Sequence, residues 1–306
     1  MVFVPAAGWA VVLSVLLPAS DAVPVSCVTR DQPNAIAELY PGSATGILNA
    51  TIAVLPIALE LARQVVPAQY NILEHAYRDL LPSFPQGMYP LVVQGAHDHD
   101  IQLKAYNLTI PDFSRVGFEF PFLDLLGDGY TSFSWHPAQL ISAQNAGAIQ
   151  GSEAYGTLVT PATFEPSCDA YTPGGTSTVF RAVGTASASN SSSACQKHYF
   201  ADLDFAVATW PAYPLDFFKN VTNQPSFANG TQCDQQIRLF GTDLAKAPYE
   251  PRFVEGRVVA SMLPFGERRE WAVGVYGLQI ATPFVENNYL VCQSLQGYAG
   301  VDIPGI

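Results

Sequence analysis

The segment EFPFLDLLGDGY, residues 119–130, decides the predicted fold, and GAIQGSEAYG, residues 147–156, follows it along the chain. The first segment begins at Glu119 in a run of aromatic and apolar residues and ends in the sequence GDGY. Aromatic-rich runs that are bounded by Gly and Asp are typical of β-strands ending in tight turns. This part of the chain is therefore predicted to form β-structure.

Further β-rich runs lie on either side of this segment. In these runs apolar and polar residues alternate, or β-forming residues predominate, between turns of Gly, Pro, Asn and Asp. The runs are residues 89–94, 101–108, 116–122, 130–135, 157–160, 257–263 and 270–276. Several short strands without helices between them favour an antiparallel barrel or sandwich. Residues 205–218 and 278–290 fit either a strand or a helix.

The N-terminal part is predicted to be helical. Apolar residues recur on more than one face over residues 47–66, which Pro67 ends, and a second helix is expected at residues 69–81. A membrane span at residues 47–66 is disfavoured, because polar or helix-breaking residues interrupt it at Asn49, Pro56, Glu60 and Arg63. The expected fold is α+β and mainly β, with residues 23–84 forming a helical part of a single domain at residues 23–306.

The first residues predict a signal peptide. Residues 6–17 form an apolar run too short for a membrane span, and Ser20 and Ala22 are small residues before a cleavage point at Val23. The run lacks a preceding basic residue, since Arg30 is the first. Secretion, or residence in the secretory pathway, is the expectation. Five glycosylation sequons favour the same route, at Asn49, Asn107, Asn190, Asn220 and Asn229.

The cysteines agree with an oxidising compartment. There are five, Cys27, Cys168, Cys195, Cys233 and Cys292, and none forms a C-x-x-C spacing. Two disulfides and one free thiol are favoured, with Cys168 and Cys195 as candidates to bridge the Gly/Ser/Thr/Ala-rich residues 172–194. The alternative is that all five are small buried apolar residues.

Composition excludes several classes of function. The 306 residues are 49% hydrophobic, which is enough for a large core, and the net charge of -12 argues against nucleic-acid and anionic-membrane partners. The chain contains no P-loop, dinucleotide-binding glycine pattern, H-E-x-x-H or G-x-S-x-G. A small molecule is the expected partner.

The two segments together resemble the acetoacetate decarboxylase superfamily. Glu119 matches the glutamate upstream of that family's Gly-Asp-Tyr turn, and Gly151-Ser152-Glu153 matches its Gly-Arg-Glu motif with the arginine replaced. The resemblance implies a largely antiparallel, barrel-like fold with a central pocket and a Schiff-base lysine six residues after the second glutamate. That position holds Val159, and Thr160 stands where the family has an adjacent lysine.

Without that lysine, the resemblance leaves acid–base chemistry. Glu119 and Glu153 are predicted to face one pocket as an acid–base pair, with Tyr130 and Tyr155 donating to an enolate oxygen and no cofactor required. The alternatives are that Glu119 pairs with Arg115, that Glu153 holds a turn, and that the tyrosines are core residues.

The candidates for substrate binding are His136, Arg181 and Val159. Arg181 could clamp a substrate carboxylate, although a surface ion pair is the simpler interpretation, and His136 before Pro137 is typical of a turn. Lys104 and Lys197 are the substitutes for the missing lysine, and for both a solvated position is favoured.

The run GAHDHD, residues 95–100, groups metal-ligand types. In an extended chain His97 and His99 would share one face, and Asp98 and Asp100 the other. No third ligand is identifiable, so a polar turn is favoured and no metal is expected.

The leading hypothesis is a decarboxylase-like lyase that acts through enolate chemistry on a β-keto acid or polyketide-like carbonyl compound. A cyclase or dehydratase on the same scaffold is a close variant. The alternative from another class is a non-catalytic secreted carrier of a small molecule, motivated by Val159 and Thr160. A structural surface protein is a third interpretation.

Overall fold

The computed structural model describes residues 31–185, 198–241 and 245–300. Within these ranges the strands, numbered in chain order, are β1 Ala44–Ala58, β2 Asn71–Ile72, β3 Met88–Leu103, β4 Leu108–Ile110, β5 Phe113–Asp124, β6 Phe133–Trp135, β7 Ala138–Ser142, β8 Leu158–Glu165, β9 Ser177–Gly184, β10 Phe200–Val207, β11 Ser226–Phe227, β12 Cys233–Arg238, β13 Arg252–Ser261, β14 Arg268–Trp271 and β15 Tyr276–Leu290. The helices are α1 Leu59–Val65, α2 Glu74–Leu80, α3 Ala146–Ala154 and α4 Leu215–Thr222, with 3-10 turns at Lys104–Tyr106 and Cys292–Leu295.

The strands join into one sheet that closes on itself. Its path runs from β5 through β6, β11, β12, β15 and β1 to β3, and β3 pairs with β5 again. A second circuit leaves β5 through β7, β8, β9, β10 and β13 and returns at β15. Most pairings are antiparallel, while β6–β11 and β7–β8 are parallel. The predicted mainly β, barrel-like fold is confirmed.

The N-terminal prediction is wrong where it places a helix at residues 47–66. Those residues form most of β1, and only α1 at the end of the range is helical. β1 lies between β15 and β3, and nearly all its residues are buried, so apolar side chains are needed on both faces. The apolar residues that recur on more than one face of this segment therefore indicate a central β-strand that is buried on both faces. The helix expected at residues 69–81 exists as α2, and residues 1–30, with the predicted signal peptide, lie outside the described ranges.

Most of the other expected strands are present, some with different bounds. Residues 89–94 and 116–122 fall in β3 and β5, residues 157–160 fall in β8 except for the first of them, and residues 257–263 fall mostly in β13. The two ambiguous segments resolve differently: residues 278–290 belong to β15, while residues 205–218 contain the end of β10 and the start of α4. None of the described helices is long and apolar enough to cross a membrane.

The run GAHDHD is part of β3, so the favoured polar turn is wrong. His97, Asp98 and His99 are all buried, and the strand alternation places the two imidazoles on one face, with ring centroids 6.0 Å apart. Over the described ranges, no group of three or more potential ligands is arranged to hold a metal ion.

Disulfides are present, with one pairing that the sequence left open. Cys233 at the start of β12 is bonded to Cys292, just after β15. Cys168 is also disulfide-bonded, and Cys195, its candidate partner, lies outside the described residues. The Cys233–Cys292 bridge fastens the ends of two neighbouring strands that contribute side chains to the site described next.

Candidate active site

A cavity of about 730 Å³ lies inside the circuit formed by β3, β5, β6, β11, β12, β15 and β1. Side chains alternate along a strand, so each strand presents every second residue to the cavity. β5 contributes Arg115 and Glu119, and β3 contributes Asp98. β12 and β15 supply the opposite wall with side chains that include Asp234, Arg238 and Glu286.

Glu119 and His136 form the first polar pair of the cavity wall. His136 follows β6 directly, and its Nε2 lies 3.6 Å from Oε2 of Glu119, whose other carboxylate oxygen accepts a hydrogen bond of 2.9 Å from Gln94. Burial lowers the pKa of His136; the charge of Glu119 opposes this, and Arg115 and Arg238 add to it. The imidazole is therefore neutral at pH 7, beside a buried carboxylate, as a general base requires.

Arg115 and Asp98 form the second pair. Nε of Arg115 donates to Oδ2 of Asp98 at 2.7 Å, and its Nη2 donates to Gln236 of β12 at 3.3 Å. Burial alone would lower the pKa of Arg115, but the charge and hydrogen bond of Asp98 outweigh it, so the pKa is raised. This guanidinium is already neutralised by its neighbour. The alternative in which Arg115 pairs with Glu119 is therefore not what the structure shows.

Arg238, unlike Arg115, has no carboxylate partner at ion-pair distance among the described residues. Its side chain lies at the end of β12, 6% exposed, and Nη1 donates to the backbone oxygens of Thr222 and Gln236. Its Nε is buried without a hydrogen-bond partner, and no described carboxylate lies within 4.0 Å of the guanidinium. Oγ of Ser134, also at the cavity wall, is likewise buried without a partner. Buried polar groups of this kind are normally satisfied by a ligand or by water.

Three of the predicted site residues line the cavity, namely Glu119, His136 and Tyr155. Tyr155 differs in role from the expected enolate donor. Its hydroxyl donates to Oδ1 of Asn288 at 2.9 Å and accepts from the backbone N–H of Tyr289, and its ring stacks on that of Tyr289. The hydroxyl proton is committed, so Tyr155 braces the cavity wall.

The other predicted site residues lie elsewhere. One side of α3 and its C-terminal end face the cavity through Ala148, Ser152 and Tyr155, which are three or four residues apart. Glu153 is exposed on another side of the helix. The expected pair of Glu153 with Glu119 therefore does not form. Tyr130 is 56% exposed in the turn after β5. Neither it nor Val159 on β8 lines the cavity.

The basic candidates from the sequence also lie away from the cavity. Arg181 on β9 pairs with Asp202 at 3.6 Å on the outer surface. Lys104 pairs with Glu38 at 2.8 Å, Lys219 with Asp216 at 3.6 Å, and Lys246 is exposed. Lys197 lies outside the described residues. None of the lysines in the described ranges therefore lines the cavity.

The sequons are not equivalent. Asn49 is fully buried in β1, where its side chain accepts from the N–H groups of Ala170 and Tyr171, so a glycan there is incompatible with the fold. Asn107 and Asn229 are exposed, and Asn220 is partly buried. Asn190 lies outside the described ranges.

Sequence reasoning missed the wall formed by β12 and β15. Asp234, Gln236 and Arg238 alternate along residues 233–238, and Glu286 lies in the segment that fitted both strand and helix. The alternation in β12 was a usable signal of a strand with a polar face. The pairing of this strand with β15 was not readable from sequence.

The comparisons with known proteins concern the fold. No protein-family model matches the sequence, and a search of curated proteins found no match. The chain is similar to several solved structures. The enduracididine biosynthesis enzyme MppR with bound HEPES buffer matches with a TM-score of 0.48 and 10% identity, over 81% of this chain and 87% of that one.

Two further neighbours have similar coverage. MppR complexed with pyruvate matches with a TM-score of 0.45 and 9% identity, over 80% of this chain and 90% of that one. An acetoacetate decarboxylase-like enzyme from Sphingomonas wittichii RW1 matches with a TM-score of 0.41 and 6% identity, over 81% of this chain and 94% of that one. At such identities these likenesses assign neither a substrate nor a residue role to this chain.

Proposed function

We propose that the protein is an enzyme that forms or protonates the enolate of a small carboxylated carbonyl compound, as in the decarboxylation of a β-keto acid, without a lysine imine. The observation that carries the proposal is the buried Glu119–His136 pair, 3.6 Å apart, in a cavity that also contains the unpaired cation Arg238. An acid–base pair and an anion-binding cation are the parts that such a substrate requires.

The residues divide the work as follows. Arg238, with Ser134, binds an anionic or carbonyl oxygen of the substrate. When the C–C bond to the carboxylate breaks, its electron pair moves to the carbonyl oxygen and carbon dioxide leaves. The Glu119–His136 pair then delivers a proton, taken up from solvent, to the resulting enolate carbon. The reverse use of the pair, removal of a proton next to the carbonyl, supports aldol, cyclisation or dehydration chemistry on the same site.

The test is the reaction of a panel of β-keto and α-keto acids in deuterated water, followed by NMR. We expect carbon dioxide release or deuterium incorporation next to the carbonyl, and its loss in both Glu119→Gln and His136→Gln. Borohydride added during turnover should leave no lysine adduct by mass spectrometry. A lysine adduct would overturn the mechanism, and binding without any turnover would favour a carrier.

A carrier of purely apolar molecules fits the cavity less well. Its wall contains four carboxyl side chains and two guanidiniums, whereas sites for apolar ligands present few polar groups. Such a carrier would require these charges to stay buried without a polar ligand, at a cost in free energy.

We also propose that the protein enters the secretory pathway. The Cys233–Cys292 disulfide supports this, since stable disulfides form mainly in oxidising compartments. N-terminal sequencing of protein secreted by a eukaryotic host should begin at Val23. Glycosidase treatment should shift a form glycosylated at Asn107 or Asn229 and should reveal no glycan at Asn49. Retention of the full N-terminus inside the cell would contradict the proposal.

A further inference from the structure

The hairpin formed by β3 and β4 lines one end of the cavity with apolar side chains. Its direct cross-strand pairs include Ile101 with Ile110 and Leu103 with Leu108, and all four side chains line the cavity. Leu108 is 50% exposed, so this end of the cavity opens to solvent. With two neighbouring aromatic residues these side chains form what we call the hairpin face, which consists of Ile101, Leu103, Tyr106, Leu108, Ile110 and Phe113.

A β-bulge in β3 turns this apolar sequence toward the cavity. The pairing of β3 with β1 shifts by one residue between His99 and Gln102. Asp100 within the bulge has a φ of 50°, a conformation that Asp adopts more readily than most residues. Regular alternation from Asp98 would have placed Asp100 on the cavity side. Because of the bulge, Ile101 lines the cavity instead.

The apolar surface continues from the hairpin face to the cation of the site. Phe284 of β15 is the direct cross-strand partner of Arg238 on β12, and both line the cavity. The same phenyl ring meets Ile101 above Gly46 of β1, where a Cβ would lie 2.7 Å from Cζ of Phe284 and 3.0 Å from Cγ1 of Ile101. Apolar side chains therefore extend from the open end of the cavity to the residue beside Arg238.

A short substrate would leave this surface unused. A cavity of about 730 Å³ lies in the range that accommodates drug-sized ligands, and contiguous exposed apolar side chains are typical of ligand-binding grooves. A compound such as acetoacetate or pyruvate has its polar groups satisfied at Arg238 and the Glu119–His136 pair. It has no hydrocarbon chain that could displace water from the hairpin face.

We propose that the hairpin face binds the hydrocarbon tail of the substrate, so that the substrate is a β-keto acid with an aliphatic chain of several carbons. This inference rests on the proposed function and names the substrate class for the same site. The carboxylate and carbonyl groups bind near Arg238, and the chain leads past Phe284 and Ile101 toward Leu108 at the open end. Burial of the chain supplies affinity, while the polar wall fixes its orientation.

The first experiment measures kcat/KM for acetoacetate, β-ketohexanoate, β-ketooctanoate and β-ketodecanoate with the wild-type protein. Transfer of one methylene group from water to an apolar surface changes an equilibrium about fourfold. We therefore expect kcat/KM to rise by up to about fourfold per methylene group until the chain is longer than the hairpin face. A value that stays level or falls along the series would overturn the inference.

The second experiment compares Leu108→Ser with Leu158→Ser. Both leucines are exposed strand residues, but Leu158, on β8, is 61% exposed and does not line the cavity. In Leu108→Ser the ratio of kcat/KM for β-ketooctanoate to that for acetoacetate should fall by about fourfold or more, the equivalent of at least one methylene group. Leu158→Ser should keep the wild-type ratio. Arg238→Gln should lower kcat/KM by a similar factor for both compounds, because it removes a contact with the polar groups that they share.

A binding measurement checks the hairpin face without turnover. Isothermal titration calorimetry with butanoate, hexanoate, octanoate and decanoate uses carboxylates that have no keto group and cannot react. We expect the affinity of wild type and Leu158→Ser to rise along this series, and that of Leu108→Ser to rise less steeply. Equal dependence on chain length in all three proteins would overturn the inference.

The outcomes separate this inference from the proposed function. Turnover of the β-keto acids without any dependence on chain length would leave the proposed function standing and the tail site wrong. Carboxylate binding that strengthens with chain length and weakens in Leu108→Ser, without turnover of any compound, would support the tail site and contradict the proposed function. A change in the oligomeric state of Leu108→Ser on sedimentation, with an unchanged dependence on chain length, would assign the hairpin face to contact between two copies of the chain and overturn the inference.

Discussion

Neighbouring residues of β3 show two different ways of burying charge. His99 faces the sealed interior, where its Nε2 lies 2.8 Å from Oδ1 of Asp31 and both side chains are completely buried. Asp98, one residue earlier, faces the cavity and binds Arg115 at 2.7 Å. The first pair touches only protein, while the second lies in the wall of a space that can admit a ligand.

The difference shows that burial of charge does not by itself mark a functional site. For the pKa of His99, burial works against protonation, but the hydrogen bond and charge of Asp31 outweigh it and raise the pKa. That pair fastens the start of the described chain to the barrel. The charges on the cavity face, among them those of Asp98, Arg115 and Arg238, are instead arranged around a space. Access, and not charge, distinguishes the two faces.

The largest expected effect is on the sealed face. His99→Gln leaves Asp31 buried without its cation, and breaking a buried pair in this way costs about 3–5 kcal/mol. Because the folded-state pKa of His99 is raised, its contribution is complete below the unfolded pKa of about 6.5 and is lost as pH rises through the folded pKa. Denaturant unfolding at about pH 6 should therefore show the largest loss.

The matched control is His75→Gln, because His75 is exposed on α2. Activity per folded molecule should be unchanged in both variants. A stable His99→Gln protein with impaired turnover would reverse the assignment of the two faces.

The second prediction concerns the cavity face. Glu119→Gln removes the charge but keeps an oxygen that can accept from Gln94, so the free energy of unfolding should change little. Turnover should fall by about 100-fold or more, since loss of a positioned acid or base has this effect. Glu153→Gln is the control: Glu153 is exposed, and we expect wild-type activity. An equal loss of turnover in Glu119→Gln and Glu153→Gln would instead support the catalytic pair of Glu119 and Glu153 that the sequence predicted.

The sequence predicted much of the β-structure because most strands have one polar face or end in Gly and Pro turns. It failed at β1 because both faces of that strand are buried, which leaves no alternation to detect. Glu119 and His136 could be found, since they lie within or just beyond the segment that decides the fold. Arg238 and Glu286 could not, because their approach depends on the pairing of β12 with β15, across more than forty residues of chain.

The third prediction is a gain in stability. Burial raises the pKa of Asp234 to about 6. Between the usual carboxyl pKa and this value, the folded protein retains a proton that the unfolded chain loses, so the free energy of unfolding falls as pH rises. Asp234→Asn removes that cost and should stabilise the protein by about 1 kcal/mol at pH 8, with little gain at pH 4. Thermal unfolding at both pH values measures the difference. Equal stabilities at pH 8 would mean that the wall formed by β12 and β15 is solvated well enough for Asp234 to ionise.

The smallest effects are expected at the outer surface, where Arg181 pairs with Asp202 at 3.6 Å and both side chains are about half exposed. Exposed pairs contribute about 0–1 kcal/mol to stability, so Arg181→Gln should leave both stability and turnover close to wild type.

Arg238→Gln is the matched variant in the cavity. The guanidinium of Arg238 lines the cavity and its Nε has no hydrogen-bond partner, so we expect this variant to raise KM for a carboxylated substrate. If Arg181→Gln instead raised KM as much as Arg238→Gln, the substrate would have to reach the outer face of β9, and the cavity would not be the active site.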